Sequence, residues 1–465
     1  MTIHTHYISI LSVMVLMTLA GIYSARFIRT ASDFSMGGGK IGSSLVGGFL
    51  IGAFIGGTST VGTAQTAYQH GISAIWFTLG GGLGCIILAL FLAKPMRARS
   101  VETIPQFLAG TYGEQVRPWV AIYTSVGMFI QVAAQGLAAV PILTSIFPVS
   151  SQVAAVVFTL ALITYIMFGG LWGASLVGFI KLILIYAALF IAGYIVYNMS
   201  GGVSGFRYSF PDGSWLSLFP QGVGKELASG FSVIVGLIST QTYLQPVFAA
   251  RDTTSARRGL LLAGVLIPLA GLVSTMIGMQ MRVLYPDIEP ASSLPLFLLL
   301  HLNPWIGGAA LGTLLVSLFL TGSALTLGAS TVLAKDIYGK IRSRAGDREM
   351  LLISRALVLL VGAGCLVFML FTTGTLILKW AFLSMTLRGV TVFAPLAGAV
   401  YAAGRIKPEA GVWAVVIAPL LAMLWAFVFP GAIDPLYVGM GLSAAILIIG
   451  SRSNMAAGSE LKRSM

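Results

Sequence analysis

Polar side chains are scarce in this chain, so the few that interrupt its apolar stretches are the candidates for chemistry. Lys181 and Arg388 each lie inside an apolar run, and Gln131 and Gln135 are four residues apart, on one face of a helix. Thr58, Ser59 and Thr60 sit among Gly47, Gly48, Gly52, Gly56, Gly57 and Gly62; farther on, Ser239, Thr240, Gln241, Thr242, Tyr243 and Gln245 run into Pro246. Such groups hold things rather than make or break bonds. Hydroxyls, amides and freed backbone carbonyls suit a hard cation or a polar solute. A guanidinium gives a bidentate grip on a carboxylate. Cys85 and Cys365 fall inside apolar runs and read as small buried residues, and the four histidines make no metal cluster. No Walker motif and no Ser/His/Asp constellation is present, so the reading is neither an ATPase nor an enzyme.

The elements that carry these groups follow from composition. The 465 residues are 57% hydrophobic and 9% charged, with a mean hydropathy of +0.94. A soluble domain is about 45–50% apolar and about 25% charged. The chain therefore reads as an all-α polytopic membrane protein whose partner is the lipid bilayer. At about 20 apolar residues per span, it has room for about thirteen helices. The net charge of +13 is topological. Assigning alternate loops to the two sides places Lys94, Arg97, Arg117, Arg251, Arg257, Arg258, Lys335, Lys340, Arg342, Arg348, Arg355, Arg405 and Lys407 together, and leaves only Arg207, Lys225, Arg282 and Lys379 opposite. The positive-inside rule makes the crowded side cytoplasmic, with the N-terminus outside and the C-terminus inside. No nucleic-acid partner is needed to explain the charge.

Two spans are irregular. Residues 44–69 carry the glycines and hydroxyls named above, and glycine costs about 1 kcal/mol relative to alanine in a helix interior. Residues 227–250 carry the glutamines and Pro246, which removes a backbone donor. Backbone leaves a helix inside a bilayer only where it lines a cavity or is buried in protein. With the first span set aside, these two become the first helices of two five-helix halves, and five spans per half require the second half to run inverted. Paired interruptions in inverted halves mark a transporter's binding site. The expected division is an N-terminal extra helix and loop at 1–43, a first repeat at 44–200, an extracellular loop at 201–226, a second repeat at 227–405, and two C-terminal helices with a tail at 406–465.

Several stretches resemble the sodium/solute symporter family: Asp33-Phe34-Ser35-Met36-Gly37-Gly38-Gly39, Ser59-Thr60-Val61-Gly62, Tyr68-Gln69-His70-Gly71, Thr103-Ile104-Pro105-Gln106-Phe107-Leu108, Gly169-Gly170-Leu171, Gln241-Thr242-Tyr243-Leu244-Gln245-Pro246 and Ala329 to Tyr338. The resemblance runs from about residue 30 to 405. It implies a leucine-transporter-type inverted repeat and sodium as coupling ion. In that family a sodium ion lies between the first and eighth core helices. The carry-over puts Gly52 and Ile55 at the carbonyl positions, and Ser317, Leu320 and Thr321 at the hydroxyl positions. Leu320 cannot ligate. On the fifth core helix, Gly178 stands where many members carry an aspartate, and Lys181 stands one turn on, where glutamine is common.

Lys181 has two readings. It lies about 10 Å into its helix at 1.5 Å per residue, so its long side chain can snorkel to the cytoplasmic interface. Alternatively it joins the cation region, and the resemblance then implies what sodium-independent relatives of the wider fold do, where a helix-5 lysine takes the place of the ion and proton coupling replaces sodium. Arg388 is either a substrate contact or a structural arginine on helix-end carbonyls. The expectation is a secondary active transporter of a small organic solute, in the plasma membrane, working by alternating access. Sodium is the coupling ion, with the proton as alternative. Thr58, Ser59, Gln131, Gln135, Gln241, Tyr243, Gln245 and Arg388 are expected around the solute, and Arg388 tilts its chemistry toward a carboxylate.

Overall fold

The computed structural model describes residues 2–24, 41–97, 103–168, 171–342, 346–429 and 433–451. The Asp33–Gly39 stretch, the Gly169-Gly170 pair and the tail 452–465 used in the sequence reading lie outside them. The described helices begin with α1 (Thr2–Ser24), α2 (Ser43–Phe54), α3 (Thr63–His70), α4 (Trp76–Ile87), α5 (Ile104–Tyr112), α6 (Val116–Ile146), α7 (Ser151–Phe168), α8 (Leu171–Ser200) and α9 (Gly202–Ser209). There follow α10 (Val223–Ile238), α11 (Gln241–Ala249), α12 (Thr253–Leu284), α13 (Ser293–Leu300), α14 (Pro304–Leu333), α15 (Asp347–Thr372), α16 (Ile377–Tyr401), α17 (Pro408–Val428) and α18 (Pro435–Ile449). Among the described residues no sheet forms, only isolated bridges at Ile41–Ala250 and Ile406–Ser451.

Among the described residues, eight helical stretches are long and apolar enough to cross a membrane, or nine when the bent pair α10 and α11 counts as one. The sequence reading expected about thirteen spans. Shorter apolar helices such as Ser43–Phe54 and Pro435–Ile449 lie outside that count.

Without a hydrophobic force between helices in lipid, close packing comes from small residues that let backbones approach. Gly308 and Gly312 of α14 do this for α1: a Cβ would lie 2.8 Å from the His6 carbonyl at the first and 2.9 Å from the Ile10 carbonyl at the second. Ser9 Oγ then donates to the Trp305 carbonyl at 2.6 Å. On the other side of the molecule, Gly271 and Gly278 of α12 meet Thr78 and the Ala64 carbonyl, seating α12 across α4 and α3. Gly52 of α2 faces Gly178 of α8, where a Cβ at Gly52 would stand 3.2 Å from the Gly178 Cα. This last crossing brings α8 against the first broken helix.

The α5 segment carries the Thr103–Leu108 stretch named above. Thr103 caps it, accepting from the Gln106 N–H at 3.3 Å, and Ile104, Phe107, Leu108 and Tyr112 are buried. Its last residue anchors on α16, where Tyr112 donates to the Pro395 carbonyl at 2.9 Å. Below it, Asp336 is fully buried and accepts from Arg117 Nε at 3.0 Å and Nη2 at 2.7 Å, joining the end of the α14 span to the start of α6. Arg117 also reaches Glu114 at 3.0 Å. Removing one partner of a buried pair strands the other charge, at about 3–5 kcal/mol. Arg117 is partly exposed, so Arg117→Ala is expected to cost about 3 kcal/mol, the low end of that range. Thermal unfolding in detergent checks this, and an unchanged midpoint would refute it.

Candidate functional site

The first break falls where glycine density is highest. After α2, Ile55 turns extended (φ −77°, ψ 92°), and a π-helical turn at Thr58–Gly62 leads into α3. The hydroxyls here serve the backbone. Ser59 Oγ accepts from the Gly56 N–H at 2.9 Å and lies 3.1 Å from the Phe54 carbonyl and 3.0 Å from that of Gly56. Thr60 Oγ1 donates to the Gly56 carbonyl at 2.8 Å. The second break lies between α10 and α11, which bend by 45°. Thr240 is extended there (φ −107°, ψ 123°), and its hydroxyl donates to the Gly236 carbonyl at 2.6 Å.

A continuous chain of side chains joins the two breaks. Gln135 Oε1 accepts from the Gly57 N–H at 2.9 Å, while its Nε2 lies 3.4 Å from Thr58 Oγ1. Gln131 Nε2 meets the same hydroxyl at 3.4 Å. Gln131 Oε1 accepts from Arg388 Nη2 at 3.4 Å, and Arg388 Nη1 donates to Thr240 Oγ1 at 2.6 Å. Arg388 also donates to Ser384, through Nε to the carbonyl at 3.1 Å and Nη2 to Oγ at 2.9 Å. All of these residues are buried. Tyr243 stands beside the first break, with its ring 5.8 Å from that of Phe54.

The cation region forms next to this chain. Ser317 Oγ donates to the Ile55 carbonyl at 2.8 Å and Thr321 Oγ1 to the Gly52 carbonyl at 3.4 Å. Lys181 Nζ donates to that same Gly52 carbonyl. Lys181 is 1% exposed, so of its two sequence readings the snorkelling one does not describe its position here. The Gly52–Gly178 crossing explains the reach: one turn beyond the contact, the lysine stem runs directly toward the end of α2. Among the described residues, every ion pair involves other side chains, and no carboxylate pairs with Lys181 or Arg388.

Of the residues expected around the solute, Thr58, Gln131, Gln135 and Arg388 come together at the centre. Ser59 instead caps the first break. Gln241 Oε1 accepts from the Ile104 N–H at 3.0 Å, tying the second break to the start of α5. Gln245 is half-buried one turn farther along α11. Leu320 packs with Val13, Met17 and Val316 toward α1, away from the cation region. Sequence reasoning missed Ser384 as the main partner of Arg388. Its position four residues earlier on the same helix face was the available signal.

A profile of the sodium:solute symporter family matches residues 34–402. The chain belongs to that family. Among its relatives, the human high affinity choline transporter 1 is 26% identical over 67% of this chain and 57% of its own length. The high-affinity proline transporter of Bacillus subtilis (strain 168) is 23% identical over 76% of this chain and 78% of its own. This chain thus spans little more than half of the choline transporter. In fold it is similar to a sodium-coupled sialic acid symporter, with a TM-score of 0.81 at 15% identity over 96% of both chains. Mhp1, a nucleobase-cation-symport-1 transporter, gives a TM-score of 0.63 at 10% identity over 91% of this chain and 95% of that one. These likenesses establish an all-helical fold of the leucine-transporter type with interrupted first and sixth core helices.

Proposed function

We propose that the protein is a secondary active transporter that carries a small organic solute across the plasma membrane by alternating access, coupled to a cation. The observation that carries this reading is the polar chain from Gly57 through Gln135, Thr58, Gln131 and Arg388 to Thr240. Polar groups this deep in a bilayer are costly unless something uses them, and this chain bridges both helix interruptions. Solute entering between the breaks would replace some of these mutual bonds with bonds to itself. The halves 44–200 and 227–405 would rock about that point, with the N-terminus outside and the C-terminus inside. Tyr243, Gln245 and, after release of α5, Gln241 would complete the surround, while Ser59 holds the backbone that frames it.

Sodium is the coupling ion that family membership supports, with Gly52, Ile55, Ser317 and Thr321 offering four oxygens. A second reading is favoured by one observation, the Lys181 ammonium on the Gly52 carbonyl. Two unit positive charges 4 Å apart repel by about 4 kcal/mol at an effective dielectric of 20. In that reading the lysine stands in for the ion, and transport is proton-coupled or sodium-independent. Uptake into proteoliposomes, with sodium and proton gradients imposed separately, tests both. Solute accumulation is expected under at least one gradient. Absence of accumulation under either, or single-channel currents in planar bilayers, would overturn the carrier reading.

A further inference from the structure

Arg388 is 0% exposed and deep in α16, yet every acceptor it reaches is neutral: Thr240 Oγ1, the Ser384 carbonyl and Oγ, Gln131 Oε1 and Met385 Sδ at 3.3 Å. Nη1 makes one bond for its two protons. Gly127 of α6 makes room for the Arg388 stem, while Gly236 of α10 and Gly389 of α16 let those two helices touch beside it. A Cβ at Gly127 of α6 would lie 2.6 Å from Arg388 Cγ, one at Gly236 of α10 would lie 2.6 Å from Met385 Cβ, and one at Gly389 would lie 2.3 Å from Val235 Cγ2. A buried cation held only by neutral dipoles gains nothing for the fold that an apolar residue of similar volume would not supply. Its value lies in an anion that arrives from outside.

We infer that the carried solute bears a carboxylate, and that Arg388 takes it at the α10–α11 break. This rests on the transport reading and deepens it. The guanidinium matches a carboxylate with two parallel N–H···O bonds, and Gln131 and Thr240 are the bonds it exchanges to do so. Arrival of the acid thereby loosens the contact between the α6 glutamines and the second break, which couples recognition to movement of the broken helices. A quaternary ammonium solute meets a like charge at this point. A neutral polyol leaves the cation without its counter-ion.

The test uses purified full-length protein and a panel of matched solutes: proline and prolinamide, butyrate and butyramide, glycine betaine and choline, with glucose added. Thermal midpoint in detergent and uptake by reconstituted vesicles are read for each. The expected result is that the accepted solutes are acids and that each amide or alcohol partner is more than tenfold weaker. Arg388→Gln is expected to abolish that discrimination without lowering the unliganded midpoint, and Arg388→Lys to retain part of it. The acid–amide comparison on the natural protein needs no variant, so a variant that fails to fold does not remove the test. Uptake of neutral or cationic members in preference to their acid partners would overturn the inference and leave the transporter reading standing. If no solute of any class is bound or carried, both fall.

Discussion

Lys181→Gln is expected to sharpen the protein's response to sodium by at least tenfold. The ammonium of the natural protein holds the Gly52 carbonyl, and Thr321 and Ser317 complete the same small region through Gly52 and Ile55. A sodium ion seated among those oxygens stands within a few ångströms of the ammonium, against a repulsion of about 4 kcal/mol. Glutamine removes the charge and adds an amide oxygen of its own, so both the penalty and one missing ligand are corrected at once. The variant is not expected to be less stable, because a charge within a span costs about 2.5–3.5 kcal/mol to insert and this one has no carboxylate partner among the described residues. Thermal midpoints titrated with sodium chloride against potassium chloride, at constant ionic strength, give the readout for both proteins. If the two titrations coincide, Lys181 does not govern the cation region, and its contact with α2 is packing alone.

The sequence made this region legible for a physical reason. Departures from a coordination pattern appear as residue types, so Leu320, Gly178 and Lys181 could be read before any fold was known. Direction is what types do not carry. Lys181 reaches inward because Gly52 and Gly178 let two helices touch, a tertiary fact with no local signature. Leu320 is accounted for by the extra helix α1, whose packing on Gly308 and Gly312 turns that face of α14 outward from the cation region. The first interruption was legible through its glycines, which act on the backbone itself, whereas Pro246 lies inside α11, beyond the second break at Thr240. The neighbours of individual hydroxyls and amides were not legible. Ser59 bonds its own broken turn, a local alternative to the helix that serine side chains commonly offer. Gln241 meets Ile104, a residue 137 positions away.

Gly57→Ala is expected to disable the site with an effect comparable to deleting it. The backbone at Gly57 is ordinary right-handed helix (φ −62°, ψ −39°), so alanine meets no torsional strain there. The obstacle is contact: a Cβ would lie 2.2 Å from Leu318 Cδ2, 2.4 Å from Ala138 Cβ and 3.2 Å from Gln135 Oε1. Leu318 can rotate, but the Ala138 Cβ is fixed to the α6 backbone, so the break between α2 and α3 must move away from α6. That shift stretches the Gly57–Gln135 bond at 2.9 Å and pulls Thr58 from both glutamines. Overpacking of this kind costs about 1–3 kcal/mol and the lost bond about 0.5–1.5 kcal/mol more. Transport is expected to fall more than tenfold, with the thermal midpoint lowered. Gly110→Ala on α5, where a Cβ meets nothing within 4 Å, serves as the control and should behave as the natural protein. The cause is separable from general damage by adding Ala138→Gly and Leu318→Ala to Gly57→Ala, which removes the two nearest obstacles and should restore uptake in part. Natural rates from Gly57→Ala alone would mean that the close approach of the first break to α6 has no part in carrying solute.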